Sequence, residues 1–154
     1  MIKINTNTTS NIISNKLLTR EFYSKDIEIP ISLTRGDYDI AVVIGNKNYD
    51  NIEDVVFAIN DSEIMSKYLS IALGYDKSLM IHENDVGYGR LTEIFGNENN
   101  FRGQLYNSIK ENESRVFIYY SGHGAPDLAT GDAYIVPVDA NPDFLSISGY
   151  RLQT

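Results

Sequence analysis

Five consecutive β-branched or aromatic residues, Val116-Phe-Ile-Tyr-Tyr120, stop abruptly on Ser121-Gly-His-Gly124. A continuous apolar run, rather than an alternating one, suits a strand buried on both faces of a parallel sheet, so this stretch is predicted to be a central strand. In open α/β sheets ligands meet the protein at the carboxyl ends of strands, which gives a histidine placed directly after such a strand a chemical reason to be there. Gly122 and Gly124 permit tight backbone conformations and let a substrate come close to main-chain N–H groups. The competing reading of His123 is a loop histidine satisfied by a local hydrogen bond.

The rest of the chain supplies partners for that strand. Asp39 to Ile44 reads as a first buried strand closed by Gly45, and Asn46 to Asn51 is turn chemistry throughout. A helix is predicted from about Asp61 to Leu73, with or without a helical turn before it, with Asn60 or Asp61 as N-cap, Glu63 in the first turn and Gly74 just past the end. A second strand follows at Ser78–His82, then a short helix or turn over Gly87–Phe95 and a helix from Phe101 to Lys110. After His123, Ala125–Asp132 reads as an exposed loop and Ala133–Pro137 as a short strand. Phe144 to Thr154 reads as a helix capped by Ser148 and cut short. Strand and helix alternation implies an α/β fold: a mostly parallel sheet, right-handed crossovers and helices on both faces. Residues 1–36 are rich in Asn, Thr and Ser and form an N-terminal arm. In it Glu28–Leu33 alternates polar and apolar, and Pro30 confines that segment to a sheet edge. Residues 37–154 form the domain proper.

At 154 residues the chain is one domain by length. Its net charge of −8 and lack of Lys/Arg clusters argue against nucleic acid as a partner. No stretch reaches the roughly 18 apolar residues of a membrane span, and no apolar signal core is present, so a soluble cytoplasmic protein with no membrane partner is expected. Gly45 is not followed by the glycines or the Gly-Lys-Ser/Thr of a phosphate loop. His82-Glu-Asn-Asp85 lacks the second histidine of a zincin helix and reads as the end of the second strand. Asp50, Glu53, Asp54, Asp127, Asp132 and Asp139 could gather a calcium ion, but no twelve-residue EF-hand loop exists and solvated surface carboxylates are the favoured reading. No metal or other cofactor is therefore assigned. Tyr49, Tyr119 and Tyr120 read as core or cleft walls.

Ser121-Gly-His-Gly124 at the end of such a strand resembles the catalytic-histidine motif of caspase-like cysteine peptidases (peptidase C14), including metacaspases and bacterial orthocaspases. Tyr38-Asp-Ile-Ala-Val-Val-Ile-Gly-Asn46 resembles that family's first strand and glycine turn, Ala58-Ile-Asn-Asp-Ser62 the head of its first helix, and Gly131-Asp-Ala-Tyr-Ile-Val-Pro-Val-Asp139 the segment after the histidine in bacterial members. The resemblance covers about Asp37 to the C-terminus and does not reach the arm. It implies a three-layer caspase-like fold of the p20 type, with His123 as general base and the Gly124 N–H as an oxyanion donor. In members that cleave after Arg or Lys, the positions of Asp61 and Ser121 line the pocket for the residue before the scissile bond. Members that cleave after Asp carry an arginine in the first loop and helix, and residues 46–63 contain none. Asp61 as a plain helix cap, worth about 1 kcal/mol, is the alternative.

A cysteine peptidase needs a thiolate, a base and oxyanion donors, and this sequence has no cysteine. In caspases the histidine precedes the cysteine by about 50 residues, whereas 31 residues follow His123 in this chain of 154. The expectation is a large-subunit-like part of an endopeptidase, truncated before the cysteine-bearing strand and inactive alone. Its partners would be a protein or peptide substrate and the remaining C-terminal part with the cysteine strand. A catalytically dead pseudo-enzyme acting as a binding or regulatory module is the other reading, and a histidine serving some different chemistry is a third.

Overall fold

The computed structural model describes residues 36–127 and 130–152. The edge strand expected at Glu28–Leu33 lies outside them. Strands β1 (Ile40–Gly45), β2 (Met80–Asn84) and β3 (Val116–Ser121) form a parallel sheet in the order β2-β1-β3. Helix α1 (Ala58–Ala72) connects β1 to β2, while α2 (Tyr88–Phe95) and the single-turn α3 (Gln104–Ser108) lie between β2 and β3.

The central position belongs to β1, all six of whose residues are buried. The expected central strand, β3, is instead an edge strand among the described residues, and Val116 and Ile118 are 40% and 52% exposed. Its continuous apolar run reports two faces meant for burial, a property that does not say which neighbour covers each. Alternation along β1 divides the core. Ala41 and Val43 pack with Leu69 of α1, Tyr75 and the β3 residues Phe117 and Tyr119. Val42 and Ile44 pack with Leu91 and Ile94 of α2 and with Tyr120. At the foot of the sheet the buried carboxylate of Asp39 accepts from the Nε of Arg115 at 3.0 and 3.1 Å and from its Nη2, and also from the Arg115 N–H. This ties the start of β1 to the start of β3.

Four local expectations change. Helix α1 starts three residues before Asp61, with Phe57 at the N-cap and no side-chain cap bond, so Asn60 and Asp61 are helical residues. The helix expected over Phe101–Lys110 shrinks to α3: Gly103 at its N-cap packs against the α2 terminus, where an added Cβ would lie 2.5 Å from the Gly96 nitrogen, and the backbone turns extended at Ile109. Part of the loop expected after His123 is strand β4 (Gly124–Pro126), antiparallel to β5 (Ala133–Ile135). The expected C-terminal helix is one turn, α4 (Leu145–Ser148), followed by β6 (Tyr150–Leu152) on β5. Ser148 ends α4 rather than starting it, and its Oγ bonds the Asn141 N–H and carbonyl.

Candidate active site

The carboxyl ends of the three parallel strands are bound to one another. The Asn46 N–H continues the β1–β3 ladder onto the Ser121 carbonyl at 2.8 Å, and the Asp85 N–H bonds the Gly45 carbonyl at 3.0 Å. Asn46, fully buried, donates from Nδ2 to the Val86 carbonyl at 3.1 Å and accepts from the Val86 N–H at 2.7 Å. Asp85, at a φ of +53°, accepts the N–H groups of Lys47 and Asn48 at 2.8 and 2.9 Å and the Asn48 Nδ2 at 2.6 Å. Those bonds hold the Asp85 carboxyl below its ordinary range against the opposing effect of burial, which is the largest single influence on it. Further along, the Tyr49 N–H donates to Asp54 Oδ1 at 3.2 Å and the Asp50 N–H to the Val138 carbonyl at 3.0 Å. The Asn-rich loop after β1 is thereby a fixed wall.

That wall meets His123. The ring Nε2 lies 2.7 Å from the main-chain carbonyl of Glu53. A carbonyl only accepts, so the bond requires a proton on Nε2 and leaves Nδ1 as the acceptor of the neutral imidazole. Tyr49 presents its ring to the half-buried imidazole edge-on, with centroids 4.8 Å apart. The Val136 N–H donates to the His123 carbonyl at 3.0 Å, which makes 123/136 a hydrogen-bonded pair of the β4–β5 ladder and 124/135 a non-hydrogen-bonded one. The Gly124 N–H therefore points away from β5, on the open side of β4.

Asp61 and Ser121, 60 residues apart in sequence, are brought together beside this histidine, with Ser121 Oγ donating to Asp61 Oδ2 at 3.4 Å. Gly45 makes that possible. Register places Gly45 opposite Ser121, and a Cβ on Gly45 would lie 2.5 Å from the Ala58 carbonyl and 2.7 Å from Ser62 Oγ. Only without it can the first turn of α1 sit directly on the end of β1.

The sequence model of the caspase domain, peptidase family C14, matches residues 39–153. The chain belongs to that family. No curated protein and no solved structure matches it.

This caspase domain uses groups that side-chain motifs do not reveal. The Glu53 contribution is a backbone carbonyl, which any residue offers, so no sequence signal could have found it. Asn46 and Asp85 are loop-type residues whose burial and positive φ appear only in three dimensions. Tyr49 and Tyr120 do line the interior, as expected, and they also carry hydrogen bonds to the histidine segment; Tyr119 faces the α1 side of the sheet. His82 lies on β2, exposed, with Nε2 3.3 Å from Ser62 Oγ. The carboxylates considered for calcium are spread out: Asp54 holds the Tyr49 N–H, Asp139 the Tyr88 N–H at 2.9 Å, and Asp132 faces Thr130 and Arg151. Among the described residues no three His, Cys, Asp or Glu side chains gather to hold a metal ion. No helix among them is long and apolar enough to cross a membrane.

Proposed function

We propose that this chain is the histidine-bearing, large-subunit-like part of a caspase-like cysteine endopeptidase of metacaspase or orthocaspase type, which cleaves after Arg or Lys. The observation that carries the reading is the His123 ring, anchored through Nε2 on the Glu53 carbonyl at the carboxyl edge of a parallel sheet. An imidazole so anchored offers Nδ1 to a thiol. It takes the S–H proton as the thiolate attacks the scissile carbonyl, then returns it to the leaving amine. The Gly124 N–H, turned away from β5, is suited to the oxyanion that forms. The thiol must come from outside this sequence, which has no cysteine. The outer edge of β3, unpaired among the described residues, offers a ladder to the strand that would bring it and complete the sheet of a three-layer fold.

Basic specificity rests on the pairing of Asp61 with Ser121. A half-buried carboxylate suits a guanidinium, which binds carboxylates in a fork. The same residues without a cysteine strand would serve a binding or regulatory module, which is the second reading.

Titration of the chain with N-acetyl-arginine amide and N-acetyl-aspartate amide, followed by backbone NMR, tests the pocket. Shifts at Asp61 and Ser121 with the arginine compound only, lost in Asp61→Ala, are expected. Equal responses to both compounds would sink the specificity. With the cysteine-bearing part supplied, His123→Ala should abolish cleavage of an Arg-P1 peptide, while Asp61→Ala should chiefly raise KM; unchanged turnover in His123→Ala would remove the catalytic reading.

A further inference from the structure

Pair 123/136 of the β4–β5 ladder is incomplete in a specific way. A hydrogen-bonded antiparallel pair exchanges two N–H···O bonds. Here the Val136 N–H reaches the His123 carbonyl at 3.0 Å, but the His123 N–H donates instead to the phenol oxygen of Tyr49 at 2.8 Å. The Val136 carbonyl, which that N–H would otherwise meet, accepts from Tyr120 OH at 3.0 Å, and the same hydroxyl lies 3.0 Å from the His123 carbonyl. The two phenols are 3.1 Å apart.

Proton counting fixes the direction of this chain. Both partners of Tyr120 on the β4–β5 side are carbonyls, so its single O–H proton is donated to them and its oxygen accepts from Tyr49. Burial pushes the Tyr120 hydroxyl well above the usual phenol range, so it stays protonated and its proton remains available to the carbonyls. The sequence of donations runs from the His123 N–H to Tyr49, from Tyr49 to Tyr120, and from Tyr120 back to the carbonyls of His123 and Val136. Such a loop polarises each of its members, and it starts and ends on one residue.

We infer that Tyr49 and Tyr120 are positioning residues for His123: a pair of phenols inserted into one rung of the β4–β5 ladder that fixes the histidine main chain and directs its imidazole onto the Glu53 carbonyl. Three observations agree. Tyr49, whose hydroxyl accepts the N–H, also sets its ring edge-on to the imidazole. Tyr49 is only 9% exposed, on a loop held by Asn46, Asp54 and Asp85, so its hydroxyl position is not free to drift. Gly122 leaves the space, since a Cβ there would sit 2.5 Å from the Tyr120 hydroxyl and 2.6 Å from that of Tyr49. The glycine before the histidine is thus the gap that the phenols occupy. With Tyr49→Phe the His123 N–H loses its acceptor, and the ring loses the fixed backbone from which it reaches Glu53.

This inference rests on His123 being the base, but its test does not need a cysteine. In the 154-residue chain, long-range 1H–15N spectra of the histidine rings report the tautomer, with His82 as internal reference. Wild type should show His123 protonated on Nε2, whereas folded Tyr49→Phe and Tyr120→Phe should show mixed tautomers. The His123 amide should exchange roughly fivefold faster in Tyr49→Phe, the size expected from one lost hydrogen bond. Because both changes break one loop, the double variant should be no worse than the poorer single. A wild-type tautomer and wild-type amide exchange in either folded variant would overturn the proposal. In the completed peptidase both variants should lower kcat with KM little changed. Full kcat in Tyr49→Phe beside an inactive His123→Ala would refute the positioning role alone, whereas an active His123→Ala would refute the catalytic reading on which it rests.

Discussion

Substituting Gly122 by alanine is the sharpest probe of how tightly the histidine turn is packed. The new methyl carbon would lie 2.5 Å from the Tyr120 hydroxyl, 2.6 Å from the Tyr49 hydroxyl and 2.7 Å from Tyr120 Cζ. All three distances are far inside the roughly 3.5–4.0 Å of a relaxed contact. Neither ring can swing away freely, because Tyr49 is buried and Tyr120 is packed in the core on the α2 side of the sheet. Overpacking of this kind costs about 1–3 kcal/mol, and displacing the phenols removes hydrogen bonds worth about 1 kcal/mol each. The expected loss is about 3 kcal/mol, which lowers Tm by about 6–12 °C for a domain of this size. Gly124→Ala is the matched control two residues on. Its methyl would meet only the Tyr134 carbonyl, at 3.5 Å, so its cost should stay below about 1 kcal/mol. Urea and thermal unfolding followed by far-UV circular dichroism measure both. In a Tyr49→Phe background one of the opposing oxygens is gone, so Gly122→Ala should cost about 1 kcal/mol less than in wild type. Equal losses for the two alanine variants, or strict additivity with Tyr49→Phe, would refute the packing argument.

Two further outcomes follow from the frame around the site. Arg115→Met should lower the Tm of the chain at neutral pH, because it leaves the Asp39 carboxylate, 2% exposed, without the guanidinium that pairs with it, although that guanidinium side chain is itself 62% exposed. Hydrogen bonding to Arg115, opposed by burial, holds the Asp39 carboxyl below its ordinary value, so this stabilisation is complete above the unfolded value near pH 4 and is lost as pH falls through the lower folded value. The Tm difference between wild type and Arg115→Met should therefore shrink on acidification from pH 6 to pH 2, and a constant difference would exclude the linkage. Asn46→Ala should cost about 2–3 kcal/mol by leaving the Val86 N–H and carbonyl without their partner, and should speed exchange of the Val86 amide; a loss under about 0.5 kcal/mol would mean that water replaces the amide.

Much of the site is readable in one dimension because it depends on residue types next to one another. The run Val116–Tyr120 and the turn Ser121–Gly124 announce a strand and what stands at its end, since β-branching, aromaticity and glycine act locally. Helix α1 is legible in the same way, but its orientation is not. Ile64, Tyr68 and Ile71, which supply the apolar spacing, are 40–42% exposed, while the fully buried positions are Ala58, Ser62 and Leu69. Periodicity registers a helix; the fit of Ser62 against Gly45 decides which face turns inward.

What the sequence settled by itself is the three parallel strands, the existence of helices α1 and α2, the histidine and the missing thiol, all set by local chemistry or by simple composition. Tertiary structure decided the rest: that β1 rather than β3 is central among the described residues, that Asp61 meets Ser121 across 60 residues, and that the imidazole meets a backbone carbonyl from Glu53 while two phenols bond the main chain of His123. Strand order and register are choices among pairings of similar local energy, and a main-chain carbonyl carries no side-chain identity, so only the packed chain discloses them.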